Sequence, residues 1–267
     1  MNEIELLIIK FVVSIFIVLL LSFIAEHVSP KWAGILSGFP TGSAITLHFF
    51  ALENGLTFAG ESAIYNMVGL VAMQMFIFSY YLCGVKLKRY KIIMSTIGGF
   101  IGYTITISLI SRLPINPYLA TIIPIISFFI FKSSFKKIIH STIGEKIKPT
   151  CKVIISRSGI AAITICLITG VAEIVGSTWA GLFSAFPTTL FPLILIIHYS
   201  YGEQYAHSII KHVPDGLGGL LTYSLILYLS YPSISLYLGI ALAFSGALSY
   251  LLLYSLLQKN LAKPNSL

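Results

Sequence analysis

Apolar residues dominate nine stretches of this chain, at roughly 5–25, 33–52, 63–85, 92–111, 115–131, 156–176, 179–200, 208–230 and 233–257, with short polar or charged breaks between them. A helix that crosses the hydrocarbon of a bilayer needs about 20 predominantly apolar residues. The pattern therefore predicts nine transmembrane helices. The fifth is the weakest of them, because its run is short and Pro114, Pro117 and Pro124 lie near or within it.

Within this hydropathy pattern a second pattern recurs at an offset of 147 residues. Ala25-Glu26, Trp32-Ala33-Gly34, Ser37 and Phe39-Pro40-Thr41 reappear as Ala172-Glu173, Trp179-Ala180-Gly181, Ser184 and Phe186-Pro187-Thr188. Such identities at fixed spacing point to an internal duplication. Residues 1–113 form the first repeat with helices 1 to 4, and 153–259 the second with helices 6 to 9. Between them, 114–152 hold a connector helix and a basic loop, and 260–267 form a short tail. An odd number of helices separates equivalent positions, so the two copies are expected upside down relative to each other, as in many secondary transporters. After the motif, Gly60-Glu61 aligns best with Gly202-Glu203, which implies a loop about five residues shorter in the second copy.

Composition and charge fit this reading. The chain is 57% apolar and 10% charged, with a mean hydropathy of +0.92, too little polar surface to clothe a soluble globule. With the N-terminus outside and the C-terminus cytoplasmic, 15 of the 17 Lys and Arg residues fall on the cytoplasmic side, leaving Lys10 and Arg112 outside. The +8 net charge is then a cytoplasmic rim facing anionic lipid, and nucleic acid is excluded as a partner. The acidic start Met1-Asn2-Glu3-Ile4-Glu5 is unlike a signal peptide, so the first apolar run is expected to remain as a helix. Cys83, Cys151 and Cys166 lack metal-ligand spacing, and no nucleotide-binding loop or zinc-protease helix occurs. No cofactor, metal or catalytic set is expected.

The second copy, from Ala180-Gly181-Leu182 through Phe186-Pro187-Thr188 to His198-Tyr199 and Gly202, resembles the GlpM family of small bacterial inner-membrane proteins. Members of that family are four-helix chains, so the resemblance implies a fused tandem with an extra helix. It departs from the family where His48 is followed by Phe49 instead of tyrosine. The family's association with polysaccharide production implies an alternative role, that of a noncatalytic membrane scaffold assisting envelope polysaccharide production.

Candidate chemistry gathers around the repeated motif. A proline within a helix removes one hydrogen bond, so Pro40 and Pro187 are expected to free the carbonyls near Leu36 and Phe183. Ser37, Thr41, Ser43 and Thr46, with Ser184, Thr188 and Thr189, are the hydroxyls placed to answer them or to hold a solute beside Phe39 and Phe186. His48 and His198 lie further along the same helices. Glu26 and Glu173 precede the motif and are the candidates for proton or ion coupling. Lys10 and Arg157 are expected to snorkel to the headgroups. His207, Lys211 and Asp215 share one helical face as a charged ladder. The sequence thus predicts an all-α polytopic membrane protein of two inverted four-helix repeats, acting as a secondary transporter or permease. Its expected partners are the lipid bilayer, a small-molecule or ionic solute and, as an option, further copies of itself.

Overall fold

The computed structural model describes residue 5 and residues 8–16, 39–87, 89–136, 138 and 151–261. Glu26, Trp32, Gly34 and Ser37, the upstream half of the first motif, lie outside the described residues. Eight helices follow in order: α1 (residues 8–16), α2 (Thr41–Lys86), α3 (Lys91–Ile110), α4 (Pro117–Phe135), α5 (Cys151–Ser184), α6 (Leu190–Tyr201), α7 (Glu203–Ser230) and α8 (Leu236–Leu261). No strand occurs among the described residues.

Among the described residues five helices, α2, α3, α4, α5 and α8, are long and apolar enough to cross a membrane. Their burial separates a centre from a periphery. The apolar window of α2 is 56% buried within the protein, against 28% for α3 and α4 and 22% for α8. Ile97, Ile101, Ile105 and Leu109 stand four residues apart along α3 and face outward, as do Leu248, Leu252 and Leu256 on α8. An apolar belt of this extent is stable against lipid, not water. The protein is embedded in a membrane, with α2 at its core.

The helices partition the chain differently from the nine expected spans. The expected second and third spans both fall within α2, which is two helices that meet at Gly55 (φ +87, ψ 166) and fold back on each other, so that Asn66 Nδ2 reaches Ser43 Oγ at 3.1 Å. Likewise α5 is two helices joined at Gly176 (φ +76, ψ 168), a break that falls where the sixth span is expected to end, and the second of them stops at Ser184. The seventh span, 179–200, is then completed by the twelve-residue α6. At 1.5 Å per residue α6 reaches about 18 Å, too short to cross alone. The weak fifth segment does form a helix: Asn116 Oδ1 accepts from Leu119 N at 2.8 Å and Pro117 occupies the first turn, where its missing N–H costs nothing.

Three regions hold the bundle together. One joins Met67, Phe76 and Tyr80 of α2 to Tyr103 of α3, Ile194 of α6 and Leu217 of α7. A second joins Leu47, Phe50 and Ala59 of α2 to Ala180 of α5, Tyr223 of α7 and Ala247 of α8. A third is polar: Lys132 of α4 meets Asp215 of α7 at 2.6 Å, and Tyr254 of α8 donates to the same carboxylate at 2.5 Å. The expected ladder of His207, Lys211 and Asp215 is therefore not formed. Lys211 donates instead to the carbonyl of Ile138 at 2.7 Å, and His207 packs edge-on against Tyr81. Tertiary partners hold these groups more closely than their helical neighbours do.

Candidate functional site at the crossing of two Phe-Pro-Thr turns

Both Phe-Pro-Thr segments fold into the same local structure. Thr41 N donates to Phe39 O at 2.7 Å and Thr188 N donates to Phe186 O at 2.7 Å, a three-residue turn centred on each proline. Pro40 sits at φ −75, ψ 56, the geometry of an inverse γ-turn. Each proline carbonyl then accepts a bond that opens the next helix: Ala44 N at 3.0 Å from Pro40 O, and Phe191 N at 2.8 Å from Pro187 O. The expectation that each proline lies inside a helix is corrected here. Proline precedes α2 and α6, where its fixed φ and missing N–H suit a helix start.

The four carbonyls from Gly181 to Ser184, leading into the second turn, are engaged. Phe183 O accepts from Phe186 N at 3.0 Å, so it is not the orphan expected from the sequence. Leu182 O accepts from Tyr103 Oη at 2.6 Å, Gly181 O from Ser184 Oγ at 2.7 Å, and Ser184 O from Ser43 Oγ at 2.8 Å. This last bond ties the start of α2 to the end of α5. A further link joins the two turns directly, Thr41 Oγ1 donating to Thr189 Oγ1 at 3.3 Å.

At the centre of this network stands Asn66, wholly buried in α2. Its amide nitrogen donates to Ser184 Oγ at 2.7 Å and to Ser43 Oγ at 3.1 Å, and its oxygen accepts from Ser224 Oγ of α7 at 2.7 Å. Sequence reasoning placed neither Asn66 nor Ser224 in the site. The available signal was an amide inside an apolar run, which in a bilayer needs partners.

Between the turns lies a cavity of about 10 Å3, lined by Thr41, Gly42, Ser43, Thr188, Thr189 and the Phe39 and Phe186 rings. That volume is at the limit for a single water. Its polar lining is neutral hydroxyl and backbone. Around it, Phe186 is boxed by Phe76, Phe100 and Tyr103 with ring centres 5.3 to 5.5 Å away, and Phe39 packs on Phe244 at 5.7 Å. Close approach is required of Gly181, where an added Cβ would run into the carbonyl of Ser62.

Of the other expected site residues, Thr46 turns back to Gly42 O at 2.8 Å. His48 and His198 are not brought into the cavity. His48 lies beside Tyr237 at the start of α8, while His198 Nδ1 shares a 2.8 Å hydrogen bond with Tyr80 Oη. Glu173 is exposed on α5, and Glu26 lies outside the described residues. Lys10 does not snorkel: it is buried and paired with Glu53.

A second polar cluster closes one end of the molecule. Lys91 of α3 meets Glu203 of α7 at 2.6 Å beside an open bowl of about 590 Å3, lined also by Tyr90, His198 and Tyr199. His207, one turn beyond Glu203, precedes the expected span from 208. Burial pulls its imidazole down to about 4, with Glu203 raising it and His198 and Lys91 lowering it. The search against protein-family models, curated proteins and solved structures gives no match to this chain.

Proposed function

We propose that the protein is a secondary transporter or permease of the inner membrane, carrying a small polar or ionic solute through the crossing of its two Phe-Pro-Thr turns. The observation that carries this reading is the crossing itself: two helix starts and a helix end converge on buried hydroxyls and a wholly buried amide inside a membrane protein. Discontinuous helices that meet near the midplane are how many carriers bind solute without exposing backbone to lipid.

A duplication is supported beyond the motif. Gly55 and Gly202, at the 147-residue offset, share a backbone conformation (φ +87 and +92, ψ 166 and 171), whereas Gly60 lies within helix. This favours an ungapped repeat over the five-residue shortening expected from Gly60-Glu61. The same offset relates Gly69 to Gly216, Gly99 to Gly246 and Tyr103 to Tyr250.

The alternation of helix ends between two sides, which inversion needs, draws support from contacts across the bundle, and the orientation rests on the basic-residue bias alone. Lys10 pairs with Glu53, Glu61 accepts from Ser177, and His48 meets Tyr237, all near ends expected outside. Lys91 pairs with Glu203 and Lys132 bonds Tyr254 near ends expected inside. Each pair joins segments that the basic-residue bias assigns to one side.

In this reading the small cavity is that of a closed state. Transport requires the two turns to part, first toward one face and then the other, with Gly55 and Gly202 as the joints of the half-helices. In purified protein reconstituted into liposomes, flux of a member of a panel of ions and small metabolites is expected, and Asn66→Leu or Thr188→Val should reduce it at least tenfold. No flux across the panel from correctly folded protein would overturn the reading. The close packing of the motif favours one alternative, the noncatalytic scaffold for polysaccharide production implied by the GlpM resemblance, for which folded but transport-inactive protein is the expected result.

A further inference from the structure

Beneath the Lys91–Glu203 pair, two buried polar atoms converge without a hydrogen-bond partner among the described residues: Nε2 of His207 and Oγ of Ser95. His207 is 6% exposed and Ser95 wholly buried. Both surround one point, since a Cβ added to Gly84 would stand 2.9 Å from His207 Nε2 and 3.2 Å from Ser95 Oγ. Each lies one helical turn below a member of the ion pair, Ser95 after Lys91 on α3 and His207 after Glu203 on α7. The lid is therefore charged, and the layer beneath it is polar but unsatisfied.

We propose that His207 is a proton-binding site that opens this end of the molecule, the ring being neutral while the Lys91–Glu203 lid is closed and protonated when the bowl admits water to it. This proposal rests on the transport reading for its purpose but not for its detection. The groups facing the ring are Glu203 on its own helix, Lys91 and Ser95 on α3, His198 on α6 and Tyr81 on α2. His198 connects the ring to the transport site, because it bonds Tyr80, which stacks on Phe76, which packs on Phe186 at the cavity.

The sign follows from linkage. A group whose proton affinity is depressed in the closed state favours that state at high pH and loses the preference as pH falls. For an imidazole near 4 when closed and near its ordinary 6.5 when hydrated, acidification across this window shifts the equilibrium toward opening by as much as about a hundredfold.

Spin labels at Ile93→Cys and Tyr199→Cys, both at the bowl and exposed, read the opening directly in a background without the native cysteines. In lipid nanodiscs, the inter-label distance distribution should shift to longer distances between pH 7.5 and pH 4.5, and His207→Gln should abolish the shift. An unchanged distribution in the parent protein overturns the proposal. So does a shift that survives His207→Gln, which would assign it to Glu203 or His198. If His207→Gln does not fold, ring-nitrogen resonances of histidine-labelled protein with the other five of its six histidines replaced by glutamine decide: a His207 ring titrating with the distance change supports the site, and one not titrating in that window overturns it. None of these outcomes alters the flux result, so the two readings fail separately.

Discussion

Asn66 shows how much depends on one side chain in a bilayer. An amide in hydrocarbon has no water to fall back on, so its three bonds to Ser43, Ser184 and Ser224 set the relative positions of α2, α5 and α7. Asn66→Leu removes all three and leaves buried hydroxyls to find new partners. A loss of about 2 to 4 kcal/mol is expected. Thermal unfolding in detergent should show a midpoint several degrees lower, whereas an unchanged midpoint would mean the serines repair the network among themselves. Thr41 and Thr189 are linked only through their hydroxyls, so Thr41→Val is expected to be far milder.

Among the elements, the helix breaks carry the most specific backbone requirements. Gly55 and Gly202 occupy a region of φ and ψ open essentially to glycine alone, and alanine there costs about 1 to 3 kcal/mol. Gly55→Ala and Gly202→Ala should therefore destabilise by similar amounts and, as joints of the half-helices, slow transport beyond what their stability loss explains. Glycines at close approaches behave differently. At Gly159 an added Cβ meets nothing within 4 Å, but at Gly181 it meets the Ser62 backbone. Gly159→Ala is expected to gain up to about 1 kcal/mol from helix propensity, and Gly181→Ala to lose stability by separating α5 from α2. Equal unfolding midpoints for the pair would contradict the tight α2–α5 contact.

At the scale of the whole molecule, alternating access demands that the crossing open and close. Cysteines replacing Thr41 and Thr189, whose hydroxyls are 3.3 Å apart, place a removable lock across it. Oxidation should cut flux at least tenfold and a reductant should restore it; flux that persists through the lock would move the pathway elsewhere. Orientation has its own check. Single cysteines near residues 90 and 200 should label from the cytoplasm, and cysteines near 55 and 234 from outside.

Hydropathy alone shows that this chain belongs in a membrane and is helical, because uninterrupted apolar runs have few other stable fates in water or lipid. The 147-residue offset also locates both Phe-Pro-Thr segments, the elements of the candidate site. What periodicity could not supply was the continuity of the backbone. Gly55 breaks α2 and turns it back on itself, while each proline opens a helix where a position within one was expected; local turn bonds and packing decide between these outcomes. Nor could spacing along one helix show that Asn66 reaches Ser184, that Lys10 finds Glu53, or that Asp215 adds Lys132 and Tyr254 to its helical neighbour His212. Buried polar groups choose partners by distance in three dimensions, and in a medium without water that choice is made by tertiary structure.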